Sequence, residues 1–464
     1  MRREWTRHRR NKLPLALVAL VGMMLIATVV VHGIQHRALA EAQAHWQQTS
    51  DELWASQPDR HPHRVAHYGH VVVRPQPALS FMAPGVTAHV GNYLFLEAHR
   101  QNSSSIRAAA VAPATLKLGF PSPVGLLLTF WPLLLIVLGY SAFSHEWESG
   151  RLFWLASMGV SAWRLALGKA AVFAGYTLAV LAAVGLTGAF WLGFHGQLDG
   201  AALTGLAAQL TVLGGYNGGW IVLILFVSFH SRDSNQSLYR LLALWLLLVV
   251  LVPRLAGEVA RFQYPTPDRA TFETALAEAV HAVGDAHNPN DPYFSDFRAQ
   301  TLARYGVDSI DALPVNWNGL VMVEGERITS ELFQEHFGRI TAQFEGQDRC
   351  LGWFSWVSPV LAVRQICQTV AGTDRGGSAH FEAAAEAFRF ALIQKLNHLH
   401  GHEIKRENDR GQKVSARHWR DMALFDYQPP PPQTPDARFL AGGLVWLVLA
   451  ALMLAGFRRK EVLR

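Results

Sequence analysis

The sequence predicts an all-α polytopic membrane protein with six transmembrane helices and a mostly helical extracytoplasmic domain. Half of the 464 residues are hydrophobic, yet the mean hydropathy is only +0.13, so apolar segments must alternate with long polar ones. The apolar segments are close to the roughly 20 residues that a helix needs to cross a ~30 Å hydrocarbon core. Basic residues crowd beside the first and last of them, as the positive-inside rule describes.

Six segments have the required length and lack charges at their centres, where one Arg or Asp costs about 2.5–3.5 kcal/mol on insertion scales. They are residues 14–34, 124–143, 169–194, 201–229, 238–252 and 439–457. The fifth is the shortest, because Arg240 and Arg254 border it, although both can snorkel to the interfaces. Ala38-Leu39-Ala40 resembles a signal-peptide cleavage site, but the apolar run before it exceeds the usual 7–15 residues, which favours a retained helix.

We expect a multi-pass protein of the bacterial inner membrane, and the basic residues predict that both of its chain ends lie in the cytoplasm. Two clusters flank the spans: Arg2, Arg3, Arg7, Arg9, Arg10 and Lys12 before the first, and Arg458, Arg459, Lys460 and Arg464 after the last. Six crossings return the chain to its starting side. The connections after the second and fourth spans also carry Arg or Lys, whereas HGQLDG after the third carries neither.

This topology divides the chain into five parts: residues 1–34 with the first span, 35–123 outside, 124–256 with four spans and a cytoplasmic connection near 145–163, 257–437 outside, and 438–464 with the last span. The first outer segment continues the helix and then becomes a Pro-, Gly- and His-rich loop after Pro58. The second is predicted to contain amphipathic helices, with Ser330 or Thr329 as the N-cap of ITSELFQEHFGRITAQF. Residues 429–435 form a stiff polyproline connector.

Two features of the second outer segment leave alternatives open. Trp353, Phe354 and Trp356 form an aromatic cluster, which suits either the membrane boundary or an aromatic core. Cys350 and Cys367 are the only cysteines. An oxidising compartment would allow them to form a disulfide, and two buried free thiols are the alternative.

Motifs of common catalytic sites are absent from the sequence. No GxxxxGK[ST] occurs, since Gly168 and Lys169 lack the upstream glycine, so the chain is not expected to hydrolyse ATP through a P-loop. HExxH, GxSxG and CxxC are also absent. No basic stripe with base-reading side chains indicates nucleic-acid binding. The sequence therefore predicts no enzyme and no cofactor.

Histidines stand in two groups, His61, His63, His67 and His70 in the first outer segment and His398, His400 and His402 in the second. Neutral imidazoles at short spacing bind zinc or copper. His63 and His67 would share a helix face, but Pro62 and Gly69 favour a loop. Solvated loop histidines are the plainer interpretation, so no metal site is predicted.

The connection after the second span, residues 144–169 (SHEWESGRLFWLASMGVSAWRLALGK), has the most informative pattern. Glu146 and Glu148 directly follow the apolar helix, and Gly150 separates them from a short amphipathic segment at 151–155. A helix of this kind can lie along the membrane and present a rigid lever to a soluble partner.

The pattern E-x-E-x-G-x-L, followed by a Ser-rich turn and by Gly-Lys, resembles the signature of ABC-2-type exporter permeases. VSFHSRDSNQSLYRLLALWLLLVVLVP and residues 358–389 are similar to a NosY-like subgroup with a large extracytoplasmic insertion. Trp147 and Arg151 depart from the pattern, in which Arg and Thr are common at those places. The resemblance implies a coupling helix that docks on a separate ATPase, formed by Glu146, Trp147, Glu148, Gly150, Arg151 and Leu152.

The resemblance also implies partners. These are a cytosolic ABC ATPase subunit, a second permease subunit that is identical or paralogous, and membrane lipids. A different class of function is compatible with the same features, namely a non-transporting scaffold that passes ATPase motion to the outer domain. Neither the substrate nor the choice between homodimer and heterodimer can be inferred from the sequence.

Overall fold

A computed structural model describes residues 12–103, 121–284, 291–422, 424–430 and 434–458. Most of the basic residues behind the predicted orientation (Arg2, Arg3, Arg7, Arg9, Arg10, Arg459, Lys460 and Arg464) lie outside the described residues, as do residues 431–433 of the proline connector. The described chain is mostly helical, and its single sheet has two strands.

The elements of the first half, in chain order, are α1 (Lys12–Ala55), α2 (Pro62–Ala66), β1 (His70–Val73), β2 (Tyr93–Leu96), α3 (Pro123–Gly139), α4 (Ser144–Glu148), α5 (Arg151–Ser157), α6 (Ala162–Phe194) and α7 (Gly200–Phe229). Those of the second half are α8 (Ser234–Trp245), α9 (Val252–Gln263), α10 (Arg269–Val283), α11 (Pro292–Tyr305), α12 (Trp317–Phe354), α13 (Pro359–Val370), α14 (Arg375–Glu403), α15 (Arg417–Arg420) and α16 (Ala437–Gly456). Short 3₁₀ turns lie at Gly85–Ala88, Ile310–Ala312 and Asp409–Gly411.

Six helical segments are long and apolar enough to cross a membrane, as predicted: α1, α3 with α4, α6, α7, α8 with α9, and α16. We call them the bundle.

Gly22 faces Val180 and Gly33 faces Trp191, so α1 runs parallel to α6. The Arg458 guanidinium lies 4.3 Å from the ring centroid of Trp163 at the start of α6. Both described chain ends therefore lie at one end of the bundle, the loop end, together with residues 144–161 and 230–233.

The fifth candidate span is longer than the sequence predicts. The helix is continuous over Ser234–Gln263, with a π-helical turn at Leu246–Leu251 between α8 and α9. Pro253 causes this turn, because its ring has no N–H and would clash with a carbonyl of the preceding α-helical turn. The Leu248 carbonyl in the π turn accepts a hydrogen bond of 2.6 Å from Ser358 Oγ.

Opposite the loop end, residues 38–103, 264–284, 291–354 and 372–422 pack together, and we call them the head. Trp54 and Val65 from the first outer segment share one apolar core with Leu392 and Trp419. The antiparallel pair β1–β2, in which His70 faces Leu96, packs on α14 through Phe381 and its neighbours. A helix and a sheet thus occupy part of the segment that was predicted to be a loop.

Two local predictions about helix starts are wrong. α12 begins at the N-cap Asn316, and Ser330 and Thr329 lie inside it, where Thr329 Oγ1 donates to the Gly325 carbonyl. Pro62 does not exclude a helix, because it occupies the first turn of α2, where the missing N–H has no partner to lose.

α13 lies among the helices of the bundle. Val360, Val363 and Cys367 are buried in the bundle core, and Gln209 Nε2 donates 2.9 Å to the Cys367 carbonyl. The side chains of Trp353 and Trp356, just before α13, are 60% and 44% exposed, so the alternative of an aromatic core is wrong for these two. Cys350 and Cys367 are buried free thiols, which excludes the disulfide.

The crossing of α12 and α14 gives a first testable prediction. A Cβ on Gly319 would overlap the backbone of Gly401, whereas a Cβ on Gly401 would be 4.0 Å from the nearest atoms of Gly319. Gly319→Ala should therefore lower the free energy of unfolding by about 1–3 kcal/mol through overpacking. Gly401→Ala is the matched control and should be neutral or up to about 1 kcal/mol stabilising. Thermal unfolding of both variants in detergent measures the difference, and equal midpoints would contradict the prediction.

Candidate functional site

The loop end of the bundle is closed by aromatic side chains from three helices. Phe143, Phe229 and Phe457 follow or end α3, α7 and α16, and all three side chains are buried. Their ring centroids lie 5.0–5.7 Å apart. Ser228 Oγ accepts from the backbone N–H of Phe143 at 2.9 Å and donates to the Tyr140 carbonyl at 2.7 Å. The chain leaves this closed end as α4.

Glu146 and Lys169 form a buried ion pair between α4 and α6. Lys169 Nζ donates 3.0 Å to Glu146 Oε1, and the two side chains are only 3% and 5% exposed. Lys169 Nζ also lies 5.2 Å from the ring centroid of Phe143. Because an unpaired charge is expensive in this surrounding, the pair fixes α4 against the start of α6.

Trp147 and Glu148 connect α4 to the turn between α7 and α8. Trp147 Nε1 donates 2.8 Å to the Phe229 carbonyl. Glu148 Oε1 accepts 2.5 Å from the backbone N–H of Ser234, the first residue of α8. A carboxylate at a helix N-terminus is favoured by the helix dipole. The two acidic residues of the sequence pattern therefore contact different helices.

Gly150, Arg151 and Leu152 set the direction of α5. Gly150 has φ +66° and is the N-cap residue of α5, a conformation that glycine adopts without steric cost. Leu152 is fully buried in the bundle core, and Arg151 is exposed. The opposite side of α5 carries Phe153 and Trp154, which are 56% and 58% exposed.

All six predicted coupling residues thus lie in one compact element at the loop end. Gly168 and Lys169, predicted to open the next span, lie inside α6, which begins one to two turns earlier at Ala162. Sequence reasoning missed the Glu146–Lys169 pair and the role of Ser228. A lysine within an apolar helix was the available signal, since such a charge requires a partner.

Polar groups converge at a second place, in the head. His61 Nε2 and His400 Nε2 lie 3.0 Å and 3.1–3.2 Å from the Asp409 carboxylate. Next to this cluster, His63, His67 and His99 have ligand atoms that lie within 4.8 Å of one another. The first cluster joins His61 of the first outer segment to His400 and Asp409 of the second. The other brings His63 and His67 close to His99 of the same outer segment. His99 stood in neither histidine group of the sequence.

A buried charge network supports this part of the head. Arg389 donates to both oxygens of Glu386, at 2.7 and 2.8 Å, and to Glu326 Oε1 at 2.5 Å. Glu326 Oε2 accepts from the His99 backbone N–H at 2.8 Å, and His99 Nδ1 lies 3.2 Å from it. Burial alone would raise the pKa of Glu326, but hydrogen bonding from His99 and the charge of Arg389 lower it to about 2.

The depressed carboxyl pKa values predict a loss of head stability in acid. Burial also raises the pKa of Asp409, but hydrogen bonds from Asn318, His400 and Asn316 outweigh burial and lower it to about 2. A carboxyl with a depressed folded pKa stabilises the fold above its unfolded pKa and loses that contribution as the pH falls through the folded value. The melting temperature of the detergent-solubilised chain should therefore fall between about pH 4.5 and 2. Glu326→Gln should flatten this dependence, and an unchanged slope would contradict the assignment.

Comparison with known proteins identifies one segment. Residues 269–428 match the model of a family described as a domain of unknown function (DUF3526), which covers about a third of the chain. No curated protein and no solved structure gives a significant match. The matched segment comprises α10–α15, so it contains the second part of the head together with the inserted helix α13.

Proposed function

We propose that this chain is the membrane-spanning permease subunit of an ABC exporter in the bacterial inner membrane, driven by a separate cytosolic ATPase. The observation that supports the proposal best is the α4–α5 element at the loop end. This element has an exposed apolar face and hydrogen bonds to α6, to the end of α7 and to the start of α8. Both are needed by a lever that receives motion from a soluble subunit.

The exposed face of α5 supports a docking role. Phe153, Trp154 and Met158 are 56%, 58% and 51% exposed. Trp, Phe and Met are enriched in the cores of protein interfaces, and Trp is also enriched among the residues that contribute most binding energy. Their position at the end of an apolar bundle also suits the membrane boundary. In the proposal α5 rests at that boundary, with the ATPase beneath it.

The contacts of α4 and α5 would transmit a movement of α5 directly to the helices of the bundle. Glu146 is bonded to α6, Trp147 to the end of α7 and Glu148 to the start of α8. Leu152 anchors α5 in the bundle core. Close-packed interiors of this kind deform little and pass strain on. A push on α5 would consequently act on the bundle as a whole.

The interior of the bundle supports the need for a second permease subunit. Trp131, Trp220 and Tyr216 are fully or almost fully buried at its centre, and Tyr216 donates 2.8 Å to the Leu128 carbonyl. Large side chains therefore fill the centre of the bundle. A transport path would form between two copies, or between this chain and a paralogue.

Affinity capture of the full chain from native membranes tests the proposal. The wild type should retain a soluble ATPase that carries a P-loop, and ATP hydrolysis by the purified assembly should be detectable. Trp154→Ala should release that subunit. Trp353→Ala is a matched control, because Trp353 is 60% exposed at the opposite end of the bundle. Absence of any ATPase, or equal release by both variants, would refute the proposal.

Labelling of introduced cysteines tests the orientation separately. Cys350 and Cys367 are buried, so a background lacking both can carry single cysteines at Ser157, on α5, or at Ser56, in the head. The proposal requires Ser157→Cys to be accessible only from the cytosol and Ser56→Cys only from outside. The reverse pattern would remove α5 from reach of a cytosolic ATPase.

A second function is favoured by the continuity of two helices from bundle to head. α1 runs for 44 residues from Lys12 to Ala55, and α8 with α9 spans 30 residues. Such helices would allow the bundle to move the head mechanically without transporting anything. ATP-dependent change in a spin-label distance within the head, with no ATP-dependent lipid translocation in proteoliposomes, would favour this function over export.

A further inference from the structure

Three histidines of the head meet although they are distant in sequence. The ring centroids lie 4.5 Å apart for His63 and His67, 5.4 Å for His67 and His99, and 6.0 Å for His63 and His99. Their ligand atoms all lie within 4.8 Å of one another. A metal ion with Zn–N bonds of about 2.0–2.1 Å holds its ligand nitrogens roughly 3–4 Å apart, so small side-chain rotations would suffice.

We propose that His63, His67 and His99 form a binding site for a divalent transition-metal ion of the zinc type. Three imidazoles, with no thiolate among them, suit Zn²⁺, Cu²⁺ or Ni²⁺ and exclude Mg²⁺ and Ca²⁺, which prefer oxygen. Three protein ligands leave a fourth position for water or another ligand. His67 is exposed, so the ion can enter from solution.

α2 and its C-cap residue His67 present two of the ligands in the required arrangement. Pro62 begins the helix, and His61 Nδ1 caps it by accepting from the His63 backbone N–H at 3.2 Å. His63 and His67 are then four residues apart, with the His67 N–H bonded to the His63 carbonyl at 3.2 Å. Side chains at this spacing lie on the same helix face.

A carboxylate, that of Glu326, holds His99 in place, and carboxylates commonly orient the metal-binding histidines of other proteins. The His99 φ of +60° is unusual for a residue other than glycine and is a strained conformation that is found most often at functional sites. Both its backbone N–H and its Nδ1 contact Glu326. A proton on Nδ1 that faces this carboxylate leaves the lone pair on Nε2, which is the usual arrangement for a metal ligand.

The neighbouring cluster of His61, His400 and Asp409 is a hydrogen-bonded support for this site. His61 Nδ1 accepts from a backbone N–H, so the proton of the neutral ring must sit on Nε2, where it donates to Asp409. Asp409 also accepts from Asn316 and Asn318, each at 2.9 Å. To bind a metal ion through Nε2, the His61 ring would have to lose this proton. At His99 the proton lies on Nδ1, so binding through Nε2 requires no loss of a proton.

Titration with ZnCl₂ tests the proposal on the full chain in detergent after removal of metal with a chelator. Isothermal calorimetry should show one ion per chain, and Co²⁺ should give the intense visible absorption of a tetrahedral site. Zinc should also raise the melting temperature, because it binds the folded chain. His67→Ala should weaken binding by at least about 100-fold, since loss of even an outer hydrogen-bond partner costs about 10–100-fold. His67 is exposed, so this variant should fold.

A matched control separates the site from surface histidines. His398 and His402 have the same four-residue spacing, are both exposed and lie 5.8 Å apart, but they belong to neither three-ligand group. His398→Ala with His402→Ala should leave zinc binding unchanged. The proposal fails if the wild type binds no zinc, or if His67→Ala binds like the wild type. It also fails if Asp409→Asn, but not His67→Ala, removes binding.

Discussion

Glu146→Gln is expected to destabilise the bundle by about 3–5 kcal/mol, the usual cost of removing one partner of a buried ion pair. Lys169 would keep its charge in a site where it is 3% exposed, without the carboxylate that accepts its hydrogen bond at 3.0 Å. Thermal unfolding in detergent, followed by the fluorescence of the 15 tryptophans, measures the loss.

Two further variants make this result specific to the buried pair. Glu146→Leu combined with Lys169→Met removes both charges and should recover most of the lost stability, because apolar replacement of a whole pair is often neutral. Glu273→Gln breaks the exposed pair of Arg269 and Glu273 and should cost no more than about 0.5 kcal/mol. If Glu146→Gln behaves like Glu273→Gln, the pair does not hold α4 to the bundle.

The six long apolar helices were predictable because length and apolar content are properties of contiguous residues. The first span and its helical continuation were recognised, and they form the single helix α1. The length of the fifth was underestimated because Arg240 and Arg254 border its apolar run. In the structure a π turn at Leu246–Leu251 accommodates Pro253 without ending the helix, which continues to Gln263.

α13 shows a limit of span prediction. Its 12 residues are too few to cross a membrane, so hydropathy gave no reason to place it in the bundle. Its burial depends on partners that are distant in sequence, such as Gln209 and Leu248. The environment of Cys367 likewise depends on residues distant in sequence. Its thiol is buried, and no second cysteine approaches it within the described residues.

The candidate sites differ in how far the sequence predicts them. The coupling element is contiguous, so its residues were found by pattern, but their separate partners were not. His63 and His67 were noticed through their spacing, whereas His99 follows β2 and stands alone in sequence. Only the pairing of β1 with β2 and their packing on α14 bring His99 to α2.

Arg389→Leu is expected to destabilise the head by about 3–5 kcal/mol at neutral pH. Arg389 is 1% exposed and joins three parts of the chain through the Glu97 carbonyl, Glu326 and Glu386. Its removal would leave two carboxylates buried without their common cation. Protonation would relieve that cost, so the difference from the wild type should shrink as the pH falls below about 5. Unfolding at several pH values measures both effects.

Arg327→Leu provides the matched control for Arg389→Leu, because Arg327 bonds Glu324 and Glu331 on the same helix as Glu326 but is 43% exposed. It should cost less than about 1 kcal/mol, with little dependence on pH. The two variants should also differ in zinc affinity. Arg389 fixes Glu326, and Glu326 orients His99, so Arg389→Leu should weaken binding about 10–100-fold, whereas Arg327→Leu should not. Equal affinities would mean that His99 is oriented without help from the buried charge network.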